Sequence, residues 1–154
     1  MEIEDRSIVL VVLDTVSVNH LPMYGYERNT APFLAELAEE NTLFKNAFSD
    51  SGWTVPSHTS IFTGNSSAEH ITGTKNLTMI GKSFVEELGE KGYYTAGFSH
   101  NNMVSKELQF DKGFEKFNSG RDRILMEENG FENLHSFLKD FDTDKNGFGK
   151  YLDV

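Results

Sequence analysis

Apolar and polar positions along the chain fall into segments of two different periods. Residues 8–13 (IVLVVL) form an unbroken aliphatic and β-branched run, the pattern of a strand buried on both faces. Over residues 31–40 the pattern turns helical, with Phe33, Leu34, Leu37 and Ala38 at i, i+1, i+4 and i+5. Thr30 stands where an N-cap belongs, and Pro32 suits the first turn. Residues 43–48 read as a short strand. A second helix is predicted over 82–91 (KSFVEELGEK), carried by Phe84, Val85 and Leu88, with Gly92 as its C-terminal stop. Residues 93–99 (YYTAGFS) read as a second buried strand. Strands alternating with helices in this order predict βαβ units, hence an α/β fold whose mostly parallel sheet is covered by helices. The signal weakens beyond Gly113, where residues 131–141 keep a helical pattern and the final stretch reads as a loop.

Composition adds exclusions. The 154 residues are 38% hydrophobic and 25% charged, enough for the core of one ordinary domain. Acidic residues outnumber basic ones by 24 to 14, and the formal net charge is -10. A surface of that sign repels nucleic acid and anionic membranes, and no Lys/Arg cluster reverses it locally. Neither is expected as a partner. The absence of cysteine excludes disulfides, thiolate metal sites and a cysteine nucleophile. The amino terminus is acidic where a secretory signal is basic, and its apolar run is too short for a membrane span. The expected location is the cytoplasm, where the sequons at Asn65 and Asn76 carry little weight.

Two segments bear candidate chemistry. Asp14 directly follows the predicted 8–13 strand, at the end where α/β proteins place their chemistry. A carboxylate there can bind a hard cation or orient a ligand, or simply cap the following turn. The second segment is residues 53–64 (WTVPSHTSIFTG), with Thr54 just ahead of a predicted helix start and Pro56 in its first turn. Unpaired N–H groups and the helix dipole favour an anion at such a point. A Thr held there beside a metal can lose its proton and attack phosphorus or sulfur. An N-cap role for Thr54 or Ser57 is the alternative.

Four stretches in order are VVLDTVSVNHLPMYGYERNTAPFLAELAEENTLFKNAFS, SGWTVPSHTSIFTG, KSFVEELGEKGYYTAGFSHN and FDKGFEKF. Together, from about Ser7 to Phe117, they resemble the sulfatase branch of the alkaline phosphatase superfamily. The resemblance implies a three-layer α/β/α fold with a mostly parallel sheet, incomplete in this chain. It implies a metal-dependent hydrolase of small-molecule or saccharide sulfate or phosphate esters. Asp14 matches the family's metal-binding aspartate after the first strand. Thr54 matches the nucleophile position, where the pattern has Cys or Ser, then any residue, Pro, Ser and Arg. Pro56, Ser57, Thr63 and Gly64 agree with that pattern. In ordinary sulfatases the Cys or Ser is oxidised to a formylglycine that also binds the metal. The implied ligands here are therefore Asp14 and Thr54, on a divalent cation (Ca, Mn, Zn or Mg).

The departures change the expected chemistry. Thr54 is a secondary alcohol and cannot become the formylglycine aldehyde. His58 replaces the Arg that supports the formylglycine, and Thr15 stands where many sulfatases have a second Asp. These features resemble the Thr-nucleophile members, which cleave or transfer phosphate esters on one or two divalent metals. On that reading the Thr54 alkoxide attacks in line, a covalent Thr ester forms, and water releases it. His58 would orient the leaving group or anion, with a structural role on the helix as the alternative. His70, shortly after the nucleophile helix, is weighed between the rim of the site and a structural role. For His100, beside Asn101 and Asn102, a surface loop is the preferred reading.

A different motif lies in residues 142–153. Asp142, Asp144 and Asn146 with Gly147 spell the first half of an EF-hand-like calcium loop, with Asp153 at its last position. Gly149 and Lys150 spoil the second half, and an ordinary acidic turn is preferred. Downstream of Thr54 there is no Asp-His or Asp-Asn pair of the kind that completes the family's metal site. Residues 1–154 thus read as the amino-terminal part of a sulfatase-like catalytic domain, inactive in isolation. The competing expectations are a non-catalytic α/β remnant binding a partner or anion, and a calcium-binding module through 142–153. No signal specifies an oligomeric state.

Overall fold

Residues 7–119 are described by the computed structural model, and they divide between Phe48 and Ser49 into two units. In the first, two short 3-10 turns, Val18–His20 and Pro22–Tyr24, end at Gly25, whose φ of 99° is left-handed. Helix α1 (Pro32–Glu40) follows, opened by Pro32 as predicted. Its N-cap is Ala31 rather than Thr30, because the Thr30 hydroxyl donates to the carbonyl of His20 instead.

The strand predicted over residues 8–13 does not form. Its side chains are 42–72% exposed, and among the described residues no segment pairs with it. An apolar run records a capacity for burial; a strand also needs a neighbour to complete its ladder and layers to cover its faces. Residues 43–48 are likewise irregular rather than a strand. The predicted 131–141 helix and the 142–153 loop lie outside the described residues.

The second unit contains helices α2 (Thr54–Thr63), α3 (Ser67–His70) and α4 (Phe84–Glu90), then strands β1 (Ala96–Ser99) and β2 (Lys116–Ser119). Helix α2 stops at Gly64, whose left-handed backbone (φ 72°) lets its N–H reach the Ser60 carbonyl. Helix α4 starts with a reciprocal capping box. The Glu86 N–H donates to Ser83 Oγ at 3.1 Å, and the Ser83 N–H to the Glu86 carboxylate at 2.8 Å. The box sets the start of the helix at Phe84, and Lys91 stands as the C-cap, so the predicted 82–91 helix is shorter at both ends.

Strands β1 and β2 pair in parallel, from Ala96 opposite Lys116 to Ser99 opposite Ser119. β1 is shorter than the predicted 93–99 strand, because the Tyr93 N–H closes the end of α4 on the Leu88 carbonyl. It is half-buried rather than covered on both faces. Helices with a small parallel sheet are an α/β arrangement. Among the described residues the sheet has two strands, not the broad central layer that the family resemblance implies.

The core of this unit is Val55 and Phe62 from α2, Val85 from α4, and Met79, Val104 and Phe110 from the connections, with Phe84, Leu108 and Phe114 packed against it. Phe62 lies at its centre, its ring 5.5 Å from Phe84, 5.8 Å from Phe110 and 6.2 Å from Phe114. Removing each such side chain from water contributes about 1.5–3 kcal/mol, so α2 is held chiefly by its inner face. No helix among the described residues is long and apolar enough to cross a membrane.

Candidate active site

The segment singled out by its sequence is the start of α2. Thr54 is the first helical residue, one position later than its sequence reading ahead of the helix. Trp53 occupies the N-cap in an extended conformation and supplies no side-chain cap, since an indole N–H donates and the first-turn amides need an acceptor. The indole is seated closely: a Cβ on Gly73 would lie 2.6 Å from its Cζ2 and 3.2 Å from Pro56 Cδ. Below, Val55, Pro56, Thr59 and Phe62 are buried. The hydroxyls of Thr59 and Thr63 bond back along the helix to the Val55 and Thr59 carbonyls at 2.9 and 2.7 Å. Thr54 is thus the half-exposed edge of a helix whose inner face is locked.

His58 is turned inward. It is only 7% exposed, its ring stands edge-on to Phe110 with centroids 6.2 Å apart, and its Nδ1 lies 2.9 Å from the carbonyl oxygen of Thr54. A carbonyl only accepts, so Nδ1 carries a proton and donates it. His58 holds the backbone of Thr54 from within the core.

A second cluster lies along the opposite side of α2. Ser57 and Ser60 are three residues apart and share a helix face. Ser49 Oγ lies 2.7 Å from Ser57 Oγ, and Ser60 Oγ lies 3.0 Å from Asp50 Oδ2 and 2.9 Å from His70 Nε2. Asp50 also accepts the Ser67 N–H at 2.6 Å, tying the start of α3 into the same group. Hydrogen bonds from Ser67, through its side chain first and its N–H second, and then from the Ser60 hydroxyl hold the Asp50 carboxyl below its ordinary range. Glu69 is lowered in the same way by the N–H and hydroxyl of Ser66, the cap of α3. His70, on which the sequence left two readings open, is 4% exposed with both ring nitrogens engaged.

Asp14 is half-buried in a turn of the first unit, followed by Thr15 at φ 63°, a left-handed conformation rare for a β-branched residue. Thr54 belongs to the second unit. Among the described residues no three or more His, Asp or Glu side chains are grouped to hold a metal. The oxygens of Asp14 and Thr54 fall short of the six or more ligands a hard cation takes, so the described residues do not by themselves compose a cation site. His100 is exposed just after β1. Asp50 and Ser60 were not singled out from the sequence. The Ser57–Ser60 spacing marks a polar helix face, but nothing local points to Asp50 as its partner.

The sulfatase family model matches residues 6–153. Among curated proteins, an ulvan-active sulfatase of Formosa agariphila is 30% identical over 170 aligned positions, covering 98% of this chain and 32% of the relative. The chain spans about a third of that relative's length. No solved structure matches it significantly. With the family model running over nearly the whole sequence, across both Asp14 and the α2 segment, the chain belongs to the sulfatase family.

Proposed function

We propose that this chain is the amino-terminal part of a hydrolase of sulfate or phosphate esters, with Thr54 as the nucleophile. The observation that carries this reading is the placement of Thr54. It is the half-exposed first residue of α2, its carbonyl held by His58 and the helix beneath it locked into the core. The helix start favours the ester's anionic group. There the Thr54 hydroxyl gives up its proton to solvent base, Oγ1 bonds to phosphorus or sulfur, and the bond to the leaving oxygen breaks. Water then attacks the covalent Thr ester and regenerates the hydroxyl. His58 acts on this step as a positioning residue.

A divalent cation would supply charge neutralisation and lower the proton affinity of the nucleophile. Asp14 and Thr54 are this chain's proposed contribution to its ligands, in the sulfatase branch of the alkaline phosphatase superfamily. Two oxygens are far fewer than the ligands a hard cation takes, and the 154 residues by themselves are expected to turn over negligible ester. A Thr nucleophile favours phosphate esters, while family membership and the sulfatase relative favour sulfate esters, saccharide sulfates among them.

The test is hydrolysis of paired aryl sulfate and aryl phosphate substrates by the complete product of the gene, metal-loaded, beside Thr54→Ser and Thr54→Ala variants. Turnover kept in the Ser variant and reduced roughly 10³-fold or more in the Ala variant is expected. Undiminished turnover in Thr54→Ala would remove Thr54 from the chemistry. The preferred substrate of the pair decides between phosphate and sulfate.

A further inference from the structure

We propose that His70, as the neutral tautomer with its proton on Nε2, is a positioning residue for the α2 start, acting through Ser60 and Asp50. The inference rests on the reading of Thr54 as nucleophile for its functional meaning, but not for its geometry. The backbone N–H of Thr72 lies 3.0 Å from His70 Nδ1. A backbone N–H can only donate, so Nδ1 is the bare, accepting nitrogen and the neutral ring carries its hydrogen on Nε2. Nε2–H then donates to Ser60 Oγ at 2.9 Å. With that oxygen accepting from the imidazole, the Ser60 hydrogen is directed to Asp50 Oδ2 at 3.0 Å. One backbone amide thereby orders every proton in the chain Thr72 to His70 to Ser60 to Asp50.

The consequence reaches Thr54 through the segment leading into α2. Residues 49 and 50 are tied to the α2 face at two points one turn apart, Ser49 to Ser57 and Asp50 to Ser60. The chain therefore runs back along the helix before turning through Gly52 and Trp53 into Thr54. Ser60 is the tie farther along the helix, and its hydroxyl points at Asp50 because His70 donates to its oxygen. Both His70 and Thr72 are buried, 4% and 3% exposed, so water cannot readily replace the contact between them. His58 holds the Thr54 carbonyl from the core side; the His70 chain holds the incoming segment from the other.

Two conservative substitutions separate this role from simple anchoring. His70→Gln keeps a donor near the Nε2 position and loses the acceptor for Thr72. His70→Asn keeps an acceptor near Nδ1 and loses the donor to Ser60. The first readout is nitrogen NMR of the imidazole and the amide shifts of Thr54, Val55 and Ser57 in the purified chain. The expected result is a proton on Nε2, with the three amide shifts retained in the Gln variant and displaced in the Asn variant. A proton on Nδ1, or amides that move in the Gln variant and stay in the Asn variant, would overturn the proposal.

The second readout is ester turnover by the complete gene product. The expected loss in kcat/KM is about tenfold or more for His70→Asn, against at most about threefold for His70→Gln, since small misplacements of a reacting group are costly. Equal losses in the two variants would also overturn it. If the unaltered protein hydrolyses no ester, the reading of Thr54 fails, while the NMR comparison still decides whether His70 sets the start of α2.

Discussion

Replacing Phe110 by Ala tests the packing that holds α2 in place. The Phe110 ring is fully buried and meets two α2 side chains edge-on, Phe62 with centroids 5.8 Å apart and His58 at 6.2 Å. Each such aromatic contact is worth about 0.5–1.5 kcal/mol beyond the area it buries. Loss of the ring as a whole, with the cavity it leaves, costs about 3–5 kcal/mol. That is a large share of the roughly 5–15 kcal/mol that keeps a small domain folded. The assay is urea unfolding followed by the fluorescence of Trp53, the single tryptophan, which stands at the N-cap position of α2. With a slope of about 1–3 kcal/mol/M, the midpoint should fall by about 1 M or more. Leu77→Ala is the control in the same unit: half its side chain is exposed, and such surface changes stay within about 0.5 kcal/mol. A Phe110→Ala midpoint no lower than that of Leu77→Ala would refute the assignment of Phe110 to the core beneath α2.

Gly113→Ala should destabilise by about 1–3 kcal/mol more than Gly92→Ala. Both glycines have left-handed φ, 85° and 88°, but a Cβ at Gly113 would lie 2.4 Å from the Glu86 backbone nitrogen while one at Gly92 meets nothing within 4 Å. Equal unfolding midpoints for the two variants would count against that close approach. Asp50 sets an acid dependence. Its folded-state pKa lies below its ordinary 3.8, so its stabilising contribution is complete above that value and is lost as pH falls through the lowered one. Unfolding measured from roughly pH 5 to 2 should show a shallower acid decline in Asp50→Asn than in the unaltered chain. Parallel declines would mean that the Ser60 and Ser67 bonds do not persist in solution.

The sequence by itself determined the local features. Ser83 and Glu86 stand three apart ahead of an apolar helical pattern, and they cap α4 as that spacing demands, because every partner lies within one turn. The motif around Thr54, with Pro56 after it, marked a helix start and carried the family resemblance; that the helix stops at Gly64 came from the structure. Only the tertiary structure decided what depends on residues far apart in the chain. The aliphatic run 8–13 is as strand-like as any segment, yet it stays exposed and irregular, since pairing belongs to two segments and not to one. β2 was overlooked for the converse reason: Lys116–Ser119 has little apolar character and becomes a strand only beside Ala96–Ser99. The same holds at the candidate site. The sequence named His58 for the site and left His70 between the rim and a structural role, but burial and hydrogen bonding turned the first toward the Thr54 carbonyl and joined the second to Ser60 and Asp50. A side chain's chemistry is written in its residue type, whereas the direction it faces depends on which neighbours the fold brings within about 3 Å of its polar atoms.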